Sequence, residues 1–219
     1  MNMNFDRART NMVGQQVRSW EVLDKRILAL FEKERREDFV PEQHRNLAFA
    51  DINIPLAHGQ VMMKPAVEGR MLQALELKPD DTVLEIGTGS GYITACLAAL
   101  AKRVCTVEIF EDLLRNAEKQ INEAGIENVE FYNADVMGDW LPEQAHDVVV
   151  VTGSVPVVPD RLKEWVNPGG RLFAIVGDSP AMEAKCLTRV NVTEWTEESL
   201  FETDLQALVN SEKAAVFEF

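Results

Sequence analysis

One stretch constrains this chain more than any other. The apolar run Val83-Leu84-Glu85-Ile86 passes directly into Gly87-Thr88-Gly89-Ser90-Gly91, and helix-forming residues follow from Tyr92. Strand, glycine turn and helix in immediate succession are the context that a nucleotide-type site requires. The glycines permit a tight turn and close approach of the main chain to a ligand. The helix start leaves N–H groups free, which suits an anionic group. Glu85, Gly87, Thr88, Gly89, Ser90 and Gly91 are therefore the first candidate ligand contacts.

The pattern around this turn alternates. Strands are predicted at 82–86, 103–107, 129–133, 146–152 and 171–176, and helices at 91–101, 111–124 and 158–166. Gly125 ends the second helix, and Pro168-Gly169-Gly170 reads as a turn. Such spacing implies a parallel sheet covered on both faces. The valine run Val148–Val151 fits a central strand. Upstream, residues about 6 to 36 have helical periodicity, 41–65 is irregular, and 66–77 is helical again. Downstream, 185–192 and 213–219 are strand-like and are expected to form an antiparallel pair at the sheet edge. The expected organisation is a helical segment and substrate loop (1–65) packed on an α/β domain (66–219) as one structural unit. A 46% hydrophobic content over 219 residues suits one compact core.

Two further acids follow the turn. Glu108 ends the next strand, within the ~20-residue window where a carboxylate reaches ribose hydroxyls. Asp135 ends the third strand, placed to meet an adenine amino group. Ile109, Val136 and Thr152 sit at the same strand ends and complete the candidate cofactor contacts. An NAD site expects G-x-G-x-x-G, whereas this turn is G-x-G-x-G, and Glu85 inside the strand favours the methyltransferase form. The expected cofactor is S-adenosylmethionine, in a Rossmann-like methyltransferase fold with a mostly parallel sheet.

Charge and composition exclude other classes. A net charge of −14 repels phosphate backbones, so nucleic acid is not an expected partner. Lys33, Arg35 and Arg36 alternate with Glu32, Glu34 and Glu37, a pattern read as a solvated helix face. No stretch approaches the ~18 apolar residues of a membrane span. The first residues carry no apolar leader, so a cytoplasmic protein without a membrane partner is expected. Cys96, Cys105 and Cys186 have no metal or disulfide spacing and are expected to be buried thiols, with no metal bound.

Several stretches outside the glycine turn resemble the protein-L-isoaspartate O-methyltransferase family. They are Arg36-Glu37-Asp38-Phe39-Val40-Pro41, Ala48 to Asp51, and Ile54-Pro55-Leu56-Ala57-His58-Gly59-Gln60. Val83 to Tyr92, Val151-Thr152 and Pro168-Gly169-Gly170-Arg171-Leu172 add to them. The resemblance spans about residues 10 to 180. It implies methylation of the free carboxylate of L-isoaspartyl residues in damaged proteins. It also implies cofactor contacts at Glu85, Gly87, Gly89, Glu108 and Asp135, and a substrate segment after Gln60. That segment departs from the family. Where the family has Thr-Ile-Ser, this chain has Val61-Met62-Met63, followed by Lys64 and Pro65. Ala134-Asp135-Val136 replaces Gly-Asp-Gly, and no Gln occurs near Gly177 before Gln206.

A carboxylate acceptor is ionised at pH 7 and needs no general base, so the absence of a nucleophile–base set is no objection. Three residues are candidates on the acceptor side. His58 orients the nucleophile or is a loop histidine held by backbone contacts. Lys64 pairs with an anionic acceptor or faces solvent. Met63, with Met62, lines an apolar pocket or packs in the core. The expected partner is an isoaspartyl protein or peptide. The alternatives are a small-molecule acceptor on the same fold, or a cofactor-binding protein that has lost the reaction. A monomer or weak homodimer is expected.

Overall fold

The computed structural model describes residues 4–211. The described residues open with α1 (Phe5–Met12), followed by a wider helical turn over Val13–Val17 and a tighter one over Arg18–Trp20. There the helical stretch expected over 6–36 breaks. Glu21 takes a left-handed conformation, φ 63°, and Asp24 starts α2 (Lys25–Lys33) by accepting from the Arg26 N–H at 2.8 Å. The freed N–H groups of Leu23 and Asp24 both donate to Gln73 Oε1, at 2.7 and 2.9 Å. The break is therefore set by a distant side chain that local periodicity does not reveal.

Two-residue strands β1 (Ile54–Pro55) and β2 (Val61–Met62) pair antiparallel around His58. Then come α3 (Pro65–Ala74), β3 (Thr82–Ile86), α4 (Tyr92–Leu100), β4 (Arg103–Glu108) and α5 (Glu111–Glu123). β5 (Val129–Asn133), β6 (His146–Val155), α6 (Asp160–Glu164), β7 (Val166–Asp178), β8 (Ala181–Arg189) and β9 (Trp195–Thr203) complete the described chain. The main sheet has the order β5-β4-β3-β6-β7-β8-β9. Its first five strands are parallel, and β8 and β9 run antiparallel. The α/β sheet is therefore mostly parallel, as expected.

β6 is central, and Val148 to Val151 are all fully buried. Val148 and Val150 join the apolar cluster with α2, α3 and α4, while Val149 and Val151 face Leu162 and Trp165. This period-2 division loads both faces of the sheet. Each buried valine contributes roughly 1.5–3 kcal/mol. The first cluster also takes in Met12, Val17 and Phe49, so the N-terminal segment shares the core of the sheet. Among the described residues, no helix is long and apolar enough to cross a membrane. All three cysteines are free and buried, as expected.

Three details depart from expectation. The partner of β8 beyond β7 is Trp195–Thr203, whereas 213–219, expected in that role, lies outside the described residues. Pro168-Gly169-Gly170 forms a bulge within β7, where the register against β6 shifts between His146 and Val148. The supposed solvated face is split. Lys33 and Arg35 are exposed, but Arg36 and Glu37 are buried, because α2 ends at Lys33 and the chain turns inward.

Candidate functional site

β3 and β6 are neighbours, but the connections leaving them run to opposite sides of the sheet. The crevice beyond their carboxyl ends is the place where such sheets bind ligands. The glycine turn sits there. Gly87 has φ 99°, and a Cβ on it would lie 2.6 Å from Thr152 Oγ1. That hydroxyl donates to the Ile86 carbonyl at 2.9 Å and also to the Gly87 carbonyl, tying β6 to the turn. Gly91 has φ 84°, and its Cβ would lie 2.9 Å from Ala117 Cβ, so glycine lets α4 and α5 meet. Gly91 gives α4 no side-chain cap, and Ser90 Oγ reaches only the Tyr92 N–H, at 3.4 Å.

Glu108, at the end of β4, closes on this turn. Its Oε2 accepts from the Gly89 N–H at 2.9 Å and its Oε1 from the Phe110 N–H at 3.1 Å. Asn133 donates to the carbonyls of Glu108 and Ile109 at 2.9 and 3.1 Å, fixing the strand end. Beyond β5, Asp135 accepts from the Met137 N–H and from Asn210 Nδ2, each at 2.8 Å. Val136 beside it is buried in the second apolar cluster.

Glu85 lies beneath the turn, fully buried. One oxygen accepts from Thr94 and Thr106 at 2.6 and 2.7 Å, and Thr106 contacts Thr88 at 2.7 Å. The other oxygen has no partner among the described residues. Burial pushes this carboxyl up to about 8, against the two threonine hydrogen bonds. It lies under the turn and is not among the residues that line the cleft.

The cleft runs from Gly87, Thr88, Gly89 and Ser90, past Glu108 and Thr152, to a wall of Gln60, Val61, Met62 and Met63. Glu68, Ile93, Leu205, Gln206 and Leu208 also line it. Of the three acceptor-side candidates, only Met63 reaches it. His58 is stacked on Phe110, ring centroids 4.1 Å apart and 5° from parallel, and its Nε2 lies 2.8 Å from Asp112 Oδ1. That hydrogen bond holds the Asp112 carboxyl below its usual range. His58 thus clamps the β1–β2 turn to the start of α5. Lys64 is half-buried at the head of α3 and is not among the lining residues.

Sequence reasoning missed the segment 205–208. It is held along β6, where the Ser154 N–H donates to the Gln206 carbonyl at 3.0 Å and the Leu208 N–H to the Ser154 carbonyl at 2.8 Å. Gly153 makes room for it, since a Cβ there would lie 2.8 Å from Leu208 Cδ2. No local motif marks this segment. Glu68 was also missed, although an acid inside the apolar run of α3 is a readable signal of a buried partner.

The glycine turn, an uncapped helix start and a carboxylate at the next strand end fit an adenosyl cofactor with an anionic tail. Comparison with known proteins agrees. Residues 7–212 match the family described as protein-L-isoaspartate(D-aspartate) O-methyltransferase. The chain is 36% identical to protein-L-isoaspartate O-methyltransferase 1 of Rhodopseudomonas palustris (strain HaA2), over 95% of this chain and 86% of that protein. It is 40% identical to the protein-L-isoaspartate O-methyltransferase of Geobacter metallireducens, over 80% and 82%. A solved protein-L-isoaspartate O-methyltransferase superposes with TM-score 0.80 and 21% identity, over 94% of this chain and 67% of that one. A Plasmodium falciparum protein assigned to the same activity, solved with S-adenosyl-L-homocysteine, gives 0.76 and 17%, over 91% and 97%. The two structures establish the shared fold, and the sequence matches establish the family: the chain belongs to the protein-L-isoaspartate(D-aspartate) O-methyltransferases.

Proposed function

We propose that this chain transfers the methyl group of S-adenosylmethionine to the free carboxylate of L-isoaspartyl residues in proteins. The observation that carries the reading is the juxtaposition across one cleft of the Gly87–Gly91 turn, closed by Glu108, and the Gln60–Met63 wall. The cofactor supplies an activated methyl group on a positively charged sulfur. The residues of the chain bind, orient and exclude water. The turn amides and the start of α4 receive the anionic end of the cofactor. Glu108 meets the ribose hydroxyls, and Asp135, Ile109 and Val136 hold the adenine end. Thr88, Ser90 and Thr152 keep the turn in shape, with Glu85 beneath. Met63, with Met62, Ile93 and Leu205, keeps the acceptor side dry. Gln60 and Gln206 offer neutral N–H donors to the acceptor carboxylate.

A second reading, a small uncharged acceptor, is favoured by one feature. Among the described residues, no lysine or arginine lines the cleft, and its acceptor side is mainly Val61, Met62, Met63, Leu205 and Leu208. The two readings separate in one assay series. Cofactor binding is measured by calorimetry, and labelled methyl transfer is measured to an isoaspartyl peptide and to its aspartyl counterpart. Transfer to the isoaspartyl peptide alone supports the first reading. Cofactor binding without peptide methylation directs the search to small acceptors.

A further inference from the structure

Arg36 lies beneath the acceptor wall, fully buried and outside the cleft lining. Its Nε and Nη2 donate to the two oxygens of Glu68 at 3.1 and 3.0 Å. Nη2 also donates to the Met63 carbonyl at 2.6 Å. Nη1 donates to the Ala48 carbonyl at 3.2 Å and contacts Met62 Sδ at 3.4 Å. These contacts match the five N–H groups of a guanidinium. Its carbon also lies 5.2 Å from the centroid of Tyr92, the residue that opens α4 directly after the glycine turn. Arg36 therefore touches the wall of the cleft, the helix behind it and the helix that carries the cofactor turn.

A fully buried ion pair is a weak source of stability, and apolar side chains of similar volume fill such space as well. Apolar side chains cannot satisfy carbonyls. Among the described residues, no main-chain N–H outside the regular elements donates to Met63 or Ala48. Without Arg36 these two buried acceptors lose their donor, which favours movement of the Met62–Met63 main chain.

We propose that Arg36 is a positioning residue: its guanidinium fixes the Met62–Met63 wall relative to the glycine turn, so acceptor binding depends on it and cofactor binding does not. Glu68 is its counter-charge and holds the fork in orientation. The kinetic part of this inference rests on the isoaspartyl reading above, and the main-chain part does not.

The test uses Arg36→Lys, which keeps the charge but loses the planar fork. The paired change Arg36→Met with Glu68→Met removes both charges and guards against simple failure to fold. Hydrogen exchange of the peptide covering 60–64 is compared with that covering 82–100. In both variants the first is expected to exchange about tenfold faster and the second to stay at the wild-type rate. In Arg36→Lys the KM for an isoaspartyl peptide is expected to rise about tenfold, with cofactor affinity within about threefold of wild type; the paired variant, which also changes the cleft-lining Glu68, is read by exchange alone. A merely structural arginine would lower the active fraction, so kcat would fall with both KM values unchanged. That result, or wild-type exchange at 60–64 in folded variants, would overturn the inference. A wild-type protein that methylates no isoaspartyl peptide would overturn the functional reading, and the exchange measurement would still decide the role of Arg36.

Discussion

Glu108 Oε2 lies 2.9 Å from the Gly89 amide nitrogen, so the last residue of β4 closes the turn that follows β3. The carboxylate is nearly buried, at 6% exposure, and it has two main-chain donors. Its loss should therefore be felt in the cofactor site. A hydrogen bond to a charged group is worth roughly 1.5–3 kcal/mol, which is about 10- to 100-fold in affinity. Glu108→Ala is expected to weaken S-adenosylhomocysteine binding by that factor in a calorimetric titration. An unchanged affinity would remove Glu108 from the site.

Gly91 and Gly125 separate two reasons for glycine. Both have positive φ, 84° and 72°, but a Cβ at Gly91 meets Ala117 at 2.9 Å, whereas one at Gly125 meets nothing within 4 Å. Gly125→Ala carries only the conformational cost, about 1 kcal/mol. Gly91→Ala adds overpacking and is expected to cost about 2–4 kcal/mol in urea unfolding. Equal losses at the two positions would refute the packing argument.

Glu85 makes stability depend on pH. Its carboxyl is raised from 4.5 to about 8 by burial, so the folded state holds a proton that the unfolded state releases. That contribution is complete below about pH 4.5 and is lost as pH rises through 8, by at most about 1.4 kcal/mol per unit. The thermal stability of the wild type is expected to fall from pH 5 to 8. Glu85→Gln, a mimic of the neutral acid, is expected to flatten that slope. A slope equally steep in the variant would show that Glu85 is already ionised.

His58 binds Asp112 and stacks on Phe110 instead of lining the cleft. A general acid or base contributes typically 10²–10⁴-fold to a rate. His58→Ala is expected to lower kcat by less than about tenfold, with unchanged cofactor affinity. A fall of a hundredfold or more would return His58 to the catalytic group.

The central α/β pattern was legible because local signals and tertiary structure agree there. Val83 to Gly91 carries strand and glycine turn in nine consecutive residues with the helix starting at Tyr92, and the Val148–Val151 run places β6 at the centre. β9 was not legible. Thr196-Glu197-Glu198-Ser199 is exposed and polar, and an edge strand needs only backbone pairing with one neighbour. The break at Glu21 depends on Gln73, some fifty residues away. Arg36 read as a solvated charge because its burial depends on Glu68 and on two carbonyls that only the fold brings near. The strand-end acids Glu108 and Asp135 were readable from their spacing after the glycine turn. The opposite wall of the cleft draws on Gln60–Met63, Glu68 and 205–208, which share no sequence motif.

The most direct measurement is a single-turnover reaction of the protein with labelled S-adenosylmethionine and an isoaspartyl peptide, read by mass spectrometry with the aspartyl peptide as control. The expected result is one base-labile methyl ester on the isoaspartyl peptide and none on the control. Tight cofactor binding with no ester on either peptide would contradict the proposed acceptor.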